Sequence, residues 1–240
     1  MRILQISDLH VPDLDHLNTD NDSRFGHIRG NILRQLSFIQ SENPDLLVIS
    51  GDLTMEDASR AGCKWLSENL PNIPTVIIPG NHDDPDLIWE VFGPTKCVSR
   101  DFYGEIIYED CSIIFLDTSS DYLPAEQRQF LDSLSMRHPT LLFMHHPPAL
   151  IGDGYMSTNQ PLRNHVEAAQ SINRTAIEHV FCSHFHNHAD ILCDGFQLHL
   201  TPSPAFQVAL NTKKFKMEKC QPVVRTITIG DDVKTDLIHV

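Results

Sequence analysis

Thr75-Val76-Ile77-Ile78, followed across Pro79 by Gly80-Asn81-His82-Asp83, sets the pattern by which the chain is read. Four β-favouring apolar residues predict a short buried strand, and the polar cluster beyond a glycine turn predicts a strand end that carries chemistry. The pattern occurs four more times. Ile3-Leu4-Gln5-Ile6 leads into Asp8 and His10, and Leu46-Leu47-Val48-Ile49 into Gly51-Asp52. Leu141-Leu142-Phe143-Met144 leads into His145-His146-Pro147-Pro148, and Val180-Phe181-Cys182 into His184 and His186. Sheets with helical crossovers gather the C-terminal ends of their strands along one edge, so these distant residues are expected to converge.

The segments between the strands carry helix signals. Ile28, Ile32, Leu36 and Ile39 recur on one helical face that Asn43-Pro44 terminates. Thr54 with Asp57 resembles a capping arrangement for a helix through Ala58, Ala61 and Trp65, and Asp84-Pro85 suits an N-cap followed by a first-turn proline. Pro124 opens a further helix, with Gln127, Phe130, Leu131 and Leu134 partly inward. From Phe196 the chain reads as strands, ending in a hairpin of Val223 to Ile229 and Thr235 to Val240 around Gly230-Asp231-Asp232. The polar stretch Tyr155 to Asn164 reads as a mobile loop.

A length of 240 residues without repeats or linkers suits a single domain spanning 1–240. Hydrophobic residues at 41% and charged residues at 21% exclude general disorder. The formal charge of −14 makes a long polyanion a poor partner. Six cysteines without a C-x-x-C pair fit a reducing, cytoplasmic setting. No apolar run approaches the roughly 20 residues of a membrane span, and the immediate first strand leaves no room for a signal peptide. Oligomerisation is compatible with the sequence.

Fourteen histidines, clustered with carboxylates, are the first functional clue. Two aspartates, an asparagine and several histidines form a mixed oxygen and nitrogen donor set suited to Mn, Fe, Zn, Co or Ni. Without thiolates it is no structural zinc finger. Asp8, His10, Asp52, Asn81, His145, His184 and His186 are too many donors for one tetrahedral ion. They suit two ions sharing a carboxylate, the arrangement that clamps attacking and leaving oxygens in phosphoryl displacement. Gly51 and Gly80 would let the backbone turn tightly beside the ions.

The blocks D-L-H at Asp8 to His10, G-D at Gly51 to Asp52, G-N-H-D at Gly80 to Asp83, H-H-P-P at His145 to Pro148 and H-F-H at His184 to His186 resemble the calcineurin-like metallophosphoesterases. Within that family, G-D-L-T at Gly51 to Thr54, L-R-N at Leu162 to Asn164 and T-P-S-P-A-F-Q at Thr201 to Gln207 resemble the bacterial class III cyclic-nucleotide phosphodiesterases. The resemblance implies an α/β fold, a four-layer αββα sandwich. It implies one metal on Asp8, His10 and His186, a second on Asn81, His145 and His184, and Asp52 as the bridge. His82 would be catalytic rather than a ligand, donating a proton or hydrogen bond to phosphate or the leaving oxygen, with Asn81 and His82 both touching substrate. The cofactors would be two transition-metal ions, Fe and/or Mn, and a metal-bridging hydroxide would attack phosphorus in line.

The implied substrate is a small anionic phosphodiester, 3′,5′-cyclic AMP opened to AMP. A 2′,3′-cyclic nucleotide, a glycerophosphodiester and a nucleic-acid end are the alternatives, with a metal-loaded protein-binding scaffold as the non-enzymatic one. One departure stands out: Ser183 occupies a position where the family usually has glycine, and a left-handed backbone there would cost serine about 1 kcal/mol. Asp117, His188, Asp190 and His199 read as structural, Asp83 as a loop or helix-start residue, and Lys213, Lys214, Lys216 and Lys219 as solvated surface. His146 stays unassigned, and Asn159 and Asn164 could reach substrate from their polar loop, Asn164 with added support from the L-R-N resemblance.

Overall fold

Ile3 and Leu4, neighbours on the first strand, pack into different cores, and that alternation organises the molecule. In the computed structural model, which describes residues 1–13, 22–55, 58–135 and 139–240, strands and helices alternate from the start. Strands β1 (Arg2–Ile6), β2 (Leu46–Ser50) and β3 (Thr75–Ile78) lie parallel, linked through helices α1 (Asp22–Glu42) and α2 (Arg60–Asn69). Helix α3 (Pro85–Phe92) leads to β4 (Gly104–Ile107) and β5 (Ser112–Phe115). Then come α4 (Ala125–Ser133), β6 (Thr140–Phe143), α5 (Tyr155–Asn159), α6 (His165–Asn173) and β7 (His179–Cys182). The chain ends with β8 (Ala189–Leu192), β9 (Gln197–Leu200), β10 (Gln207–Val208), β11 (Met217–Glu218), β12 (Val223–Ile229) and β13 (Val233–His239).

Two large sheets result, ordered β13-β12-β1-β2-β3 and β4-β5-β6-β7-β9-β8. Leu4, Ile6, Leu47, Ile49 and Ile77 bury one face of the first sheet against Ile28, Ile32, Leu36 and Leu66 of α1 and α2. Leu142, Met144 and Val180 do the same for the second against Leu131 of α4 and Ile172 of α6. The inner faces meet through Ile3, Val48, Val76, Ile78, Phe115, Phe143, Phe181 and Ile227. Because both faces of the central strands are covered, those strands read as unbroken apolar runs rather than alternating ones. Phe115, Phe143 and Phe181 stack across β5, β6 and β7 at ring separations of 5.7 and 5.1 Å, adding offset aromatic contact to burial. The implied α/β/β/α layering is therefore present.

Local expectations fare unevenly. Asp84 caps α3 by accepting from the Asp86 amide, with Pro85 in the first turn. Gly230 to Asp232 joins the final hairpin. Asn43 takes φ 44° at the end of α1, the left-handed stop that asparagine tolerates. The cap of α2 is Ser59, whose hydroxyl accepts from the Gly62 amide, rather than Thr54; Asp57 lies outside the described residues. Tyr155 to Asn164 is not a bare loop: it begins with α5, which buries Met156 and Ser157.

A buried polar chain ties the sheets together. Arg225 of β12 is fully buried, donating through Nε to the Thr201 hydroxyl at 3.0 Å and through Nη2 to the Leu200 carbonyl at 2.8 Å. Asp190, 3.3 Å away, balances its charge. Thr201 donates to Gln5 Oε1, and Gln5 Nε2 donates to the Ser50 hydroxyl, both at 2.8 Å. Arg225→Leu strands these acceptors in an interior that water does not reach, and should cost about 2–4 kcal/mol of stability. Urea unfolding of the metal-free protein measures it; an unchanged midpoint would show that Arg225 is no clamp.

Candidate metal centre

The five donor-bearing segments follow β1, β2 and β3 of one sheet and β6 and β7 of the other, so their convergence point lies where two sheet edges meet rather than on a single sheet. Past the strand ends the first two loops stay zipped: the amides of Asp8, His10 and Val11 donate to the carbonyls of Gly51, Asp52 and Leu53 at 2.9 to 3.0 Å. Asp83 pins the third loop, its carboxylate accepting from the amides of Leu53 and Gly80, both at 2.9 Å. The His82 amide donates to Asp52 Oδ1 at 3.0 Å. Asp83 is thus a loop anchor, as its sequence position suggests.

Asp8, His10, Asp52, His184 and His186 all adopt positive φ, between 43° and 64°. Each costs about 1 kcal/mol or more in a residue other than glycine, a strain that functional sites hold against the surrounding structure. Gly51, at φ 102°, leaves room that a Cβ would fill 2.5 Å from His145 Nδ1, and a Cβ on Gly80 would collide with Asp52 Oδ1. Ser183 escapes the expected penalty. The left-handed turn falls on His184 at φ 64°, and the Ser183 hydroxyl donates instead to the Ser50 carbonyl at 3.0 Å, beside His145 Nδ1 at 3.1 Å.

Two groups of side chains have ligand atoms within 4.8 Å of one another and could each hold a metal ion: Asp8, His10, Asp52 and His186, and His145, His146 and His184. All seven are buried. His10 Nε2 and His186 Nε2 stand 3.0 Å apart, and Asp52 Oδ2 lies 3.6 Å from His10 Nε2 and 3.3 Å from His145 Nε2. Asp52 therefore sits between the groups. Asn81 Oδ1 is buried without a hydrogen-bond partner among the described residues, which in a folded interior is costly and fits a cation ligand, while His145 Nε2 faces the Asp52 carboxylate.

Carbonyl oxygens fix the imidazole tautomers. His145 Nδ1 donates to the Ser50 carbonyl at 2.8 Å, His184 Nε2 to Gln160 at 2.9 Å and His186 Nδ1 to Phe206 at 3.1 Å. In the neutral ring the other nitrogen is then the lone-pair donor, the usual arrangement around a metal-binding histidine, and on His145 it becomes so once its proton leaves. Ser203, in the T-P-S-P-A-F-Q stretch, donates to the Asp8 carbonyl at 2.7 Å. Sequence reasoning missed the Ser50, Gln160 and Phe206 carbonyls because a backbone acceptor has no residue signature.

Burial governs the protonation of this cluster. It lowers His10 to about 4 and holds His184 and His186 well below the ordinary imidazole range. It lifts the Asp8 carboxyl to about 8, with Asp52 pushing the same way and His145 opposing. Burial also works against a charged His145, but the Asp52 and Asp8 carboxylates outweigh it and raise that imidazole to about 9. Asp52 resists its own burial because His145, His10 and His184 surround it, and its carboxyl lies well below the usual range.

Of the remaining residues, His82 and Asn81 line a cavity of about 360 Å³ together with His10, Asp52, His184 and His186. His146, left unassigned from sequence, is buried, its Nδ1 3.0 Å from the Thr118 hydroxyl and its Nε2 3.2 Å from Asp121 Oδ1. Its ring lies 4.0 Å from that of His184. Asn164 exchanges two hydrogen bonds with the Leu123 backbone at 2.9 Å, and Asn159 bonds back to Tyr155, so neither is placed at the cavity. Asp117 accepts from the Ser119 amide, and His199 and His188 pair with Asp190, in keeping with structural roles. Lys213 pairs with Asp153 and Lys216 with Glu218 on the surface.

Comparison with known proteins follows the same lines. The calcineurin-like phosphoesterase profile matches residues 1–188. A probable cyclic nucleotide phosphodiesterase of Fibrobacter succinogenes is 29% identical over 238 residues, covering 97% of this chain and 91% of that one. A probable glycerophosphodiester phosphodiesterase, GpdQ, of Arcobacter nitrofigilis is 26% identical, covering 89% and 82%. A dimetal phosphatase from Danio rerio superposes with a TM-score of 0.69 at 10% identity, covering 99% and 98%, a likeness of fold. Residues beyond the profile still belong to the sheets, since β9 pairs with β7 and β12 with β1.

With Asp8 at about 8 and His145 at about 9, both hold protons near neutrality in the metal-free protein, and a bound cation must displace them. Mn²⁺ uptake should therefore release protons and strengthen as pH rises from about 6 to 9, levelling above. Calorimetry in two buffers of different ionisation enthalpy measures this; affinity flat across that range would contradict it.

Proposed function

The chain belongs to the calcineurin-like phosphoesterase family, and we propose that it is a dinuclear-metal phosphodiesterase that opens 3′,5′-cyclic AMP to AMP, residues 1–240 working as one domain. The observation that carries this reading is the place of Asp52, whose Oδ2 faces His10 Nε2 on one side and His145 Nε2 on the other. Asp8, His10 and His186 would hold one ion and Asn81, His145 and His184 the other, with Asp52 placed to serve both. When bound, the ions polarise the phosphate and supply a water acidic enough to act as nucleophile near neutral pH. Fe and Mn are the proposed ions, and a donor set of nitrogens and oxygens also suits Zn, Co or Ni.

The protein's own groups do the rest. Asn81 and His82 contact the phosphate, and His82 gives a proton to the ribose oxygen as its bond to phosphorus breaks. His82 belongs to neither ligand group, yet its ring stands edge-on to His10 at 5.2 Å and lines the cavity. Thr118 and Asp121 hold His146 against His184, making it a support for that ligand. The name carried by the Fibrobacter relative supports a cyclic nucleotide, and the formal charge of −14 disfavours long DNA. Six free cysteines fit a cytoplasmic setting. The GpdQ relative supports the competing reading, a glycerophosphodiester.

His82→Ala should keep its metal while turnover of cyclic AMP falls about 10²-fold to 10⁴-fold, the range for a lost acid-base group. The loss should be smaller for a nitrophenyl ester, whose leaving group needs no proton. Metal loss in a folded variant would make His82 a ligand. Comparison of kcat/KM for 3′,5′-cyclic AMP, 2′,3′-cyclic AMP, glycerophosphodiesters and DNA tests the substrate; preference for any of the last three would overturn the cyclic AMP assignment.

A further inference from the structure

The cavity at the metal centre has two unlike halves. One is built from the donor side chains and His82, which phosphoryl chemistry requires. The other is built from Tyr155, Met156, Phe206, Val208 and Phe215, which that chemistry does not require, with Gln160 also in the lining. Among the described residues, this second half carries no charged side chain. Phe206 is already committed, its ring 5.6 Å from that of His10 and 4.4 Å from that of His186. Tyr155 and Phe215 lie farther out, edge to face at 5.5 Å with planes at 69°.

These two rings come from separate parts of the chain that are fastened together. The Tyr155 amide donates to the Thr212 carbonyl at 2.7 Å, and Lys213 pairs with Asp153. Across the 209–216 segment the Ala209 amide donates to the Lys216 carbonyl at 3.0 Å. Phe215 nonetheless remains 48% exposed, so a phenyl ring is held at the rim of a polar site with much of its surface in water. A rigidly placed aromatic face beside a phosphate-sized polar site suits a flat ring attached to that phosphate, and base-on-aromatic stacking is tolerant of which base is presented.

We propose that the touching pair Tyr155 and Phe215 forms one wall of a slot, open to water on its other side, against which the nucleobase of the substrate stacks, and so selects nucleotides over base-free phosphodiesters. This rests on the phosphodiesterase reading of the same site and adds the part of the substrate that the metal ligands do not touch. A quaternary ammonium group is the other ligand that aromatic rings hold. Among the described residues the wall offers no carboxylate to such a cation, and Asp153 is paired with Lys213.

Calorimetry on the Mn²⁺-loaded protein with AMP, ribose 5-phosphate and glycerophosphocholine tests the slot by binding alone. AMP should bind about 5-fold to 30-fold tighter than ribose 5-phosphate, the scale of one stacked base. Phe215→Ala, at a half-exposed position, should reduce that advantage to within about twofold while leaving ribose 5-phosphate binding unchanged, and Phe215→Trp should retain it. An unchanged AMP advantage in Phe215→Ala, equal weakening of both ligands, or a larger loss for glycerophosphocholine than for AMP would each overturn the proposal. Wild-type protein that distinguishes AMP from ribose 5-phosphate without hydrolysing cyclic AMP would sink the proposed reaction and leave the slot standing.

Discussion

A carboxylate shared between histidines of two different loops is the constraint on which the site depends. Asp52 is 1% exposed, and its Oδ2 faces His10 on one side and His145 on the other. Burying that charge is tolerable only where several cationic or coordinating partners surround it. The fold supplies them by bringing the ends of β1, β2 and β3 against those of β6 and β7. Neither sheet alone holds both halves of the ligand set. The inner packing of Phe115, Phe143 and Phe181 on the first sheet is therefore as much a part of the centre as the donors are.

Strain and its support are distributed together. Five of the candidate ligand residues sit on left-handed backbone, and a network of hydrogen bonds holds them there: the zipped β1 and β2 loops, the Asp83 pin and the Ser203 contact to Asp8. Ser50 joins the network to the structural core. Its carbonyl accepts from His145, Ser7 and Ser183, while its hydroxyl accepts from Gln5 at the end of the chain that starts at Arg225. A stabilising device between the sheets and an orienting device for a ligand thus meet in one residue.

The convergence of these side chains was legible in the sequence, because candidate metal donors are side chains and the strand grammar tells where they end up. Asp8, His10, Asp52 and His186 come together, as do His145 and His184, but the second group also takes in His146, which the sequence left unassigned. Partners that act through backbone left no trace: the carbonyls of Gln160 and Phe206 belong to residues whose side chains say nothing of the role. Ser183 was read as a strained substitute for glycine, yet the turn lies one residue later and the hydroxyl has work beside His145. Polar composition concealed α5, because its buried residues Met156 and Ser157 are too few for a periodic signal. Asn164 looked available for substrate only because its pairing with Leu123, 41 residues away, is a tertiary contact.

The central claim, that Asp52 joins two metal ions, is tested most directly by anomalous diffraction from crystals of fully active protein, with elemental analysis of the same preparation. Two ions per chain are expected, about 3.5 to 4 Å apart, with the Asp52 carboxylate touching both. A single ion, or two ions of which only one meets Asp52, would contradict the account.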